Sequence, residues 1–445
     1  MKLRNLLFVL AVMSFISVIG TALGQDYDTM FVFGDLLADA PALAPRGEYH
    51  VGVRTLELVN PDQLDILNAV DGVAPLYDRP LTVEVWYPAI IPDGEIEITE
   101  YDEVLGVANN PDRPLIPFTF LGRALRDAEP DTSNAAFPLV IVSHGYPGSR
   151  MMMTYLTENL ASKGFVVVAI AHTDSTYDDA GPFPSTLLNR SLDILFVLDE
   201  FASLGAADGE TFLAGLVDAD ATALIGYSMG GYGALNAAGA GYSAQAVGLF
   251  GNMAGGSTAL EIRSAGNDDY AASQDDRIKA VVAFAPWGMA NGLWDADGLA
   301  GLTVPTLFVV GSQDDVAGYE NGVKAIFEGA VNSDSYLLTY VNARHNVAPN
   351  PPPPEALALF REYYRYAEPA WNENRINNIN QHFVTAFLGM HLQDADYGKY
   401  FDLIERSNDG VYAVEDDGTP KEEHTYWEGF LPRSAVGLEM RHNAP

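Results

Sequence analysis

From residue 137 onward the chain carries short apolar runs at 138–143 (PLVIVS), 165–171 (FVVVAIA), 222–226, 279–285, 305–310 and 336–341. A strand with one wet face alternates apolar and polar residues. A strand buried on both faces reads as an unbroken, β-branched run, as these do. Helix-length amphipathic segments at 150–163, 187–204 and 319–330 lie among them. Strand–helix alternation of this kind requires right-handed crossovers and a three-layer α/β sandwich with a mostly parallel central sheet. Upstream, strand signals occur at 49–56 and at 81–87 (LTVEVWY), and an Asp- and Pro-rich stretch at 92–114 reads as loop. Residues 242–276, rich in Gly, Ala, Ser and Asp, fit the alternation poorly; they read as an insertion, either a lid or a surface loop. The proline run at 349–354 predicts a stiff exposed connector. Helical segments follow at 354–366, 376–390 and 397–407, then a tail containing YWEGF at 426–430.

The sharpest local signal is Gly226-Tyr227-Ser228-Met229-Gly230, a G-x-S-x-G motif. The strand TALI precedes it, and small residues suited to a closely packed helix follow (Gly231, Gly233, Ala234, Ala237, Ala238). The motif gains meaning from that context, because a nucleophile elbow is a strained turn from strand to helix that pushes the serine hydroxyl outward. A serine hydroxyl is a poor nucleophile unless a base lies within hydrogen-bond reach and an acid orients that base. In folds with this elbow the chain order is Ser, Asp or Glu, then His. The run at 305–310 leads into Gly311-Ser312-Gln313-Asp314-Asp315, where Asp314 and Asp315 compete for the acid and Asp314 is favoured. The run at 336–341 leads into Asn342-Ala343-Arg344-His345, which makes His345 the base. The acyl chemistry of such a triad also needs two N–H donors for a developing oxyanion. Met229, directly after the serine, supplies one. The turn Ser143-His144-Gly145-Tyr146-Pro147-Gly148 supplies the other through Tyr146, since Pro147 has no N–H. His144 is read as a brace for that turn.

The stretches FPLVIVSHGYPGSR and LASKGFVVVAIAHTDSTY, together with GYSMGG, GSQDDV and ARHN, resemble secreted α/β-hydrolases of the predicted dienelactone hydrolase group. They are also similar to platelet-activating-factor acetylhydrolases and, more distantly, to cutinase-type polyester hydrolases. The likeness runs from about Tyr49 to the YWEGF tail. It implies an α/β-hydrolase fold with N- and C-terminal extensions, a Ser228–Asp314–His345 triad, and Trp287 as a wall of the acyl pocket beside Tyr146 and Met229. True dienelactone hydrolase uses a Cys nucleophile and this chain has no Cys, so the group name does not carry over as an activity.

The chain divides into a signal peptide at 1–24, an extension at 25–130 that supplies the first strands, a catalytic core at 131–370, and a helical extension at 371–445. Lys2 and Arg4, the uncharged apolar run 6–19, and small residues Ala22 and Gly24 before Gln25 mark a cleaved secretory leader. The apolar run is shorter than the ~20 residues a membrane span needs. The resulting expectation is a secreted or periplasmic protein with no stable membrane anchor. A formal charge of −36 disfavours nucleic acid and anionic lipid. His382 and His391 are nine apart and Asp295-Ala296-Asp297-Gly298 lacks the later ligands of a calcium loop, so no metal or cofactor is expected. Arg190 and Asp193, three apart on a helix, read as an ion pair; His172 and Asp174 read as rim residues. The reaction these features point to is hydrolysis of small or polymeric carboxylic esters through an acyl-enzyme. The alternatives are a peptidase or amidase on the same fold, and a non-catalytic binding protein.

Overall fold

A computed structural model describes residues 30–445, so the leader and its cleavage site lie outside the described residues. The strands are β1 (His50–Leu64), β2 (Leu76–Ile90), β3 (Thr99–Leu105), β4 (Ile116–Gly122), β5 (Leu125–Arg126), β6 (Glu129–Pro130), β7 (Phe137–Ser143), β8 (Val166–Ala171), β9 (Val217–Tyr227), β10 (Ile278–Phe284), β11 (Thr306–Gly311), β12 (Ser335–Tyr340) and β13 (Leu438–Asn443). Across the main sheet the order is β13-β12-β11-β10-β9-β7-β8-β2-β1-β5, with β6 beside β2. The pairs from β8 to β12 are parallel, while β2, β1 and β13 join antiparallel. This is the α/β-hydrolase fold.

The two-residue period of a strand explains the two cores. Leu139, Ile141, Val166, Val168, Leu224 and Val281 face one side, against α2 (Phe183–Leu204) and α3 (Met229–Ala237). Val140, Val142, Val167, Ala169, Ile225 and Val282 face the other, with Leu156 and Leu160 of α1 (Thr154–Ala161) and Phe383 and Phe387 of the long helix Glu373–Leu392. Each such Val, Leu, Ile or Phe side chain, fully buried, stabilises the fold by ~1.5–3 kcal/mol.

Several sequence expectations change, among them the helix read at 397–407, which holds only the 3-10 turn Gly398–Tyr400 and the start of another at Ser407. Part of 92–114 is strand: β3 pairs with β4, and Tyr101 is buried with its hydroxyl on Glu158. The proline run is not exposed, since Pro349, Asn350, Pro351 and Pro353 are buried. The reason is Asn350, whose side chain donates to the Met151 carbonyl (2.9 Å) and Thr154 Oγ1 (2.9 Å) and accepts from the Tyr155 amide, capping the start of α1. The tail ends in β13, which the polar LEMRHN hides from a hydropathy reading. Residues 242–276 are largely helical, with α4 (Ala244–Met253) capped by Ser243. They are anchored to the C-terminal part of α3 by Arg263, which bonds Asn236, and to the following turn by Ser243, which bonds the Gly292 carbonyl.

Candidate active site

Ser228 stands between β9 and α3 with φ 53° and ψ −113°. A non-glycine residue in such a region costs on the order of 1–3 kcal/mol and persists only where its surroundings enforce it. Here the Ser228 amide donates to Phe284 O (2.9 Å), and its carbonyl accepts from Trp287 (3.1 Å) and Tyr232 (3.0 Å). The flanking glycines are steric necessities. A Cβ at Gly230 would overlap the Ser143 carbonyl, and one at Gly226 would overlap Gly230.

The turns after β11 and β12 bring two of the predicted side chains to this serine. His345 Nε2 lies 3.0 Å from Ser228 Oγ, and its Nδ1 lies 2.9 Å from Asp314 Oδ2. An ionised Asp314 holds the proton on Nδ1 and leaves Nε2 to accept from the serine. Asp314 Oδ1 also accepts from the Val316 (2.8 Å) and Ala317 (2.9 Å) amides. Burial alone would raise the Asp314 carboxyl; the hydrogen bond and charge of His345, with those two amides, hold it below the usual carboxylate range. Asp315 instead faces outward and pairs with Arg344.

The turn after β7 runs directly beside the serine. An added Cβ on Gly145 would sit 3.6 Å from Ser228 Cβ. His144 braces the turn: its Nδ1 lies 2.6 Å from the Gly145 carbonyl, and its Nε2 accepts from the His172 amide. Burial, the Arg190 charge and His172 hold the His144 imidazole well below its ordinary value.

Arg190 and Asp193 do not pair with each other. The buried Arg190 guanidinium donates to the carbonyls of His144 and Gly145, the latter at 2.9 Å, and to Ser175 Oγ (2.9 Å) and Ser143 Oγ (3.2 Å). Asp193 takes Arg79 Nε (2.8 Å) and His172 Nδ1 (2.8 Å). Helical spacing put Arg190 and Asp193 on one face, but each found a nearer partner on another element. His172 is likewise buried rather than at the rim, its Nε2 2.8 Å from Ser143 Oγ. Burial, with the Arg190 charge, pushes it down to about 4 against the opposing pull of Asp193. Asp174 accepts from Ser185 Oγ (2.6 Å) at the start of α2.

Trp287 and Tyr146 are both half-buried, and Phe183 joins them into one aromatic wall. Tyr146 meets Phe183 edge-on at 5.3 Å between ring centroids, and Phe183 meets Trp287 at 5.3 Å and 87°. The Met229 side chain is buried in the core around α3. Sequence reading missed Phe183; the available signal was an aromatic between Pro182 and Pro184 opening a helix. It also missed Glu368, whose carboxylate accepts from the amides on both sides of His345. Asp295 caps a short helix through the Gly298 amide (2.9 Å). No group of His, Asp and Glu among the described residues is arranged to hold a metal.

Fold and site together define an α/β-hydrolase-fold protein with a serine, histidine and aspartate in hydrogen-bonded series. A profile of the PET hydrolase-like (PETase) family matches residues 128–251. Cutinase est1 of Thermobifida alba is 27% identical over 218 residues, 49% of this chain and 56% of that protein. The bis(hydroxyethyl) terephthalate hydrolase of Streptomyces coelicolor is 31% identical over 219 residues, 49% of this chain and 53% of that protein. The chain thus spans little more than half the length of these curated relatives. Among solved structures, a ferulic acid esterase from Streptomyces cinnamoneus superposes with a TM-score of 0.51 at 21% identity, covering 80% of this chain and 94% of its own. No helix among the described residues is long and apolar enough to cross a membrane.

Proposed function

We propose that the chain is a serine carboxylic ester hydrolase. The observation that carries this reading is His345, set between Ser228 Oγ at 3.0 Å and the Asp314 carboxylate at 2.9 Å. His345 takes the Ser228 proton as the oxygen attacks the ester carbonyl, and Asp314 stabilises the resulting imidazolium. The imidazolium then gives its proton to the departing alkoxide. The acyl-enzyme left on Ser228 is hydrolysed by water through the same steps in reverse order.

The Met229 and Tyr146 amides receive the oxyanion. Among the described residues neither meets an acceptor in the fold. The Gly145 carbonyl is committed to Arg190 and His144. In a trans peptide the next N–H points the opposite way, which turns the Tyr146 amide away from Arg190. The aromatic wall of Tyr146, Phe183 and Trp287 takes an apolar or aromatic acyl group. A formal charge of −36 repels anionic substrates at long range. The names of the relatives, cutinase and bis(hydroxyethyl) terephthalate hydrolase, fit ester substrates, including polymeric ones. The leader motif at 1–24 makes the protein an exported one.

The test is covalent labelling by a fluorophosphonate, followed by kcat/KM on p-nitrophenyl acetate, butyrate and octanoate beside a panel of peptide anilides. Labelling at Ser228 and faster ester cleavage are expected. Faster cleavage of the anilides would falsify the ester reading in favour of an amidase, and an unlabelled Ser228 would leave a binding protein.

A further inference from the structure

We infer that Glu368 is a second carboxylate serving the base, a positioning residue that clamps the peptide on both sides of His345 and supplies negative charge that favours its imidazolium. The inference rests on the hydrolase reading above and adds a residue to it.

Glu368 lies in the turn between the short helix Phe360–Tyr363 and the long helix Glu373–Leu392. It is 2% exposed. One carboxylate oxygen accepts from the Arg344 amide at 2.6 Å and the other from the Asn346 amide at 2.6 Å. The residue between those amides is His345. Burying a carboxylate without a cation is costly, so its retention calls for compensation. The Arg344 guanidinium turns away to Asp315, and no basic side chain forms an ion pair with Glu368 among the described residues. The two backbone N–H groups therefore carry the compensation. The Glu368 amide is itself tied to Glu373 Oε1 (2.9 Å), which holds the turn. Asn346 adds further ties to this segment, donating from Nδ2 to the Tyr364 (2.8 Å) and Ala367 (3.1 Å) carbonyls.

The groups around His345 come from four elements: Asp314 from the turn after β11, Ser228 and the Tyr227 ring (5.2 Å between centroids) from β9 and the elbow, Arg344 beside it on its own loop, and Glu368 from the far turn. The Arg344 charge is matched by Asp315. The two carboxylates near the imidazole are thus Asp314, in direct contact, and Glu368, behind the peptide. Burial and the neighbouring Asp314 charge raise the Glu368 carboxyl, while the two amides and His345 favour its ionised form. An anion close to an imidazole in a low-dielectric site stabilises the positive charge the imidazole takes up during the reaction.

The experiment is the pH dependence of kcat/KM on p-nitrophenyl butyrate for the wild type, Glu368→Gln and Glu368→Asp, with thermal melting of each. Glu368→Gln removes the charge at nearly constant shape. Its acidic limb should move to lower pH by ~0.5 units or more, with a lower plateau. Glu368→Asp keeps the charge and should hold the limb near its wild-type position while the plateau falls. A folded Glu368→Gln variant with an unmoved or upward-shifted limb overturns the inference. If that variant does not fold, a Glu368→Asp limb displaced to lower pH overturns it. Failure of the underlying reading looks different, because Ser228→Ala would then retain wild-type hydrolysis.

Discussion

Two loops reach Ser228 from either side of β9 in the sheet order, and they are fastened by charges of opposite sign. The loop after β7 is held by a buried cation: Arg190 takes the carbonyls of His144 and Gly145. The loop after β12 is held by a buried anion: Glu368 takes the amides of Arg344 and Asn346. Every buried backbone group needs a partner, so the sign of the clamp decides which groups the loop has left to offer. Under the proposed reaction, a guanidinium that consumes carbonyls leaves an N–H, that of Tyr146, for the oxyanion. A carboxylate that consumes amides holds the backbone on both sides of His345, the base of that proposed reaction. Under the proposed reaction each clamp also has the sign that the developing charge requires, positive behind the oxyanion and negative behind the imidazolium.

The strongest way to break this comparison is at its centre. Ser228→Ala and His345→Ala should each lower kcat by ~10⁴–10⁶-fold, because the members of a triad act as a unit. Asp314→Asn should cost ~10⁴-fold, since an amide stabilises the wrong imidazole tautomer. Asp315→Asn should leave the rate within about twofold, as an exposed ion pair contributes little. Comparable losses at Asp314 and Asp315 would move the acid off Asp314.

The cation side is sharpened by Arg190→Lys. Lysine keeps the charge and loses the forked geometry, so kcat should fall by ~10–100-fold with KM nearly constant, less than the loss of a whole oxyanion donor. Melting curves separate this from global unfolding. A loss confined to KM would mean that the loop binds substrate rather than stabilising the transition state.

Acid should weaken the packing behind the β7 loop before it weakens the Asp314–His345 contact. His172, behind the β7 loop, is neutral when folded down to about pH 4, whereas in the unfolded chain it protonates near its usual ~6.5. The unfolded state therefore binds the extra proton between these values, and stability falls as pH drops through that window. The Asp314 carboxyl is depressed; its contribution is present above the unfolded value of ~3.9 and is lost only as pH falls below that toward its lower folded value. Urea melts from pH 7 to 4 should show the His172 slope, and His172→Asn should flatten it by up to about 1.4 kcal/mol per pH unit. An equally steep variant would assign the slope to other groups.

A smaller loss concerns the wall beside the two loops. Phe183→Ala removes both edge-to-face contacts and should lower kcat/KM for aromatic acyl esters by about 2- to 10-fold relative to acetate. Equal losses on acetate and aromatic esters would make Phe183 a packing residue only.

Much of this site is legible along the chain. Continuous β-branched runs mark the buried strands because a strand covered on both faces has no position for a polar side chain. The elbow is legible because strand, G-x-S-x-G and helix are contiguous in the chain, although Gly230 itself answers a tertiary collision with the Ser143 carbonyl of β7. The order Ser228, Asp314, His345 follows from where the strands end. What the chain does not display are choices between residues of equal local standing. Asp314 and Asp315 occupy the same turn, and only folding sends the first to the Val316 and Ala317 amides and the second to Arg344. Helical spacing offered Arg190 to Asp193, yet Arg79 and His172 come to Asp193 from distant elements and Arg190 is left for the carbonyls of the β7 turn. The proline run reads as exposed until Asn350 is seen capping α1. Glu368 shows no local pattern, because the amides it serves lie more than twenty residues away. Periodicity and turn chemistry are short-range and so are written in the sequence. The partner of a buried charge is set by which elements cross in space, and for Arg190 and Glu368 tertiary structure alone decided it.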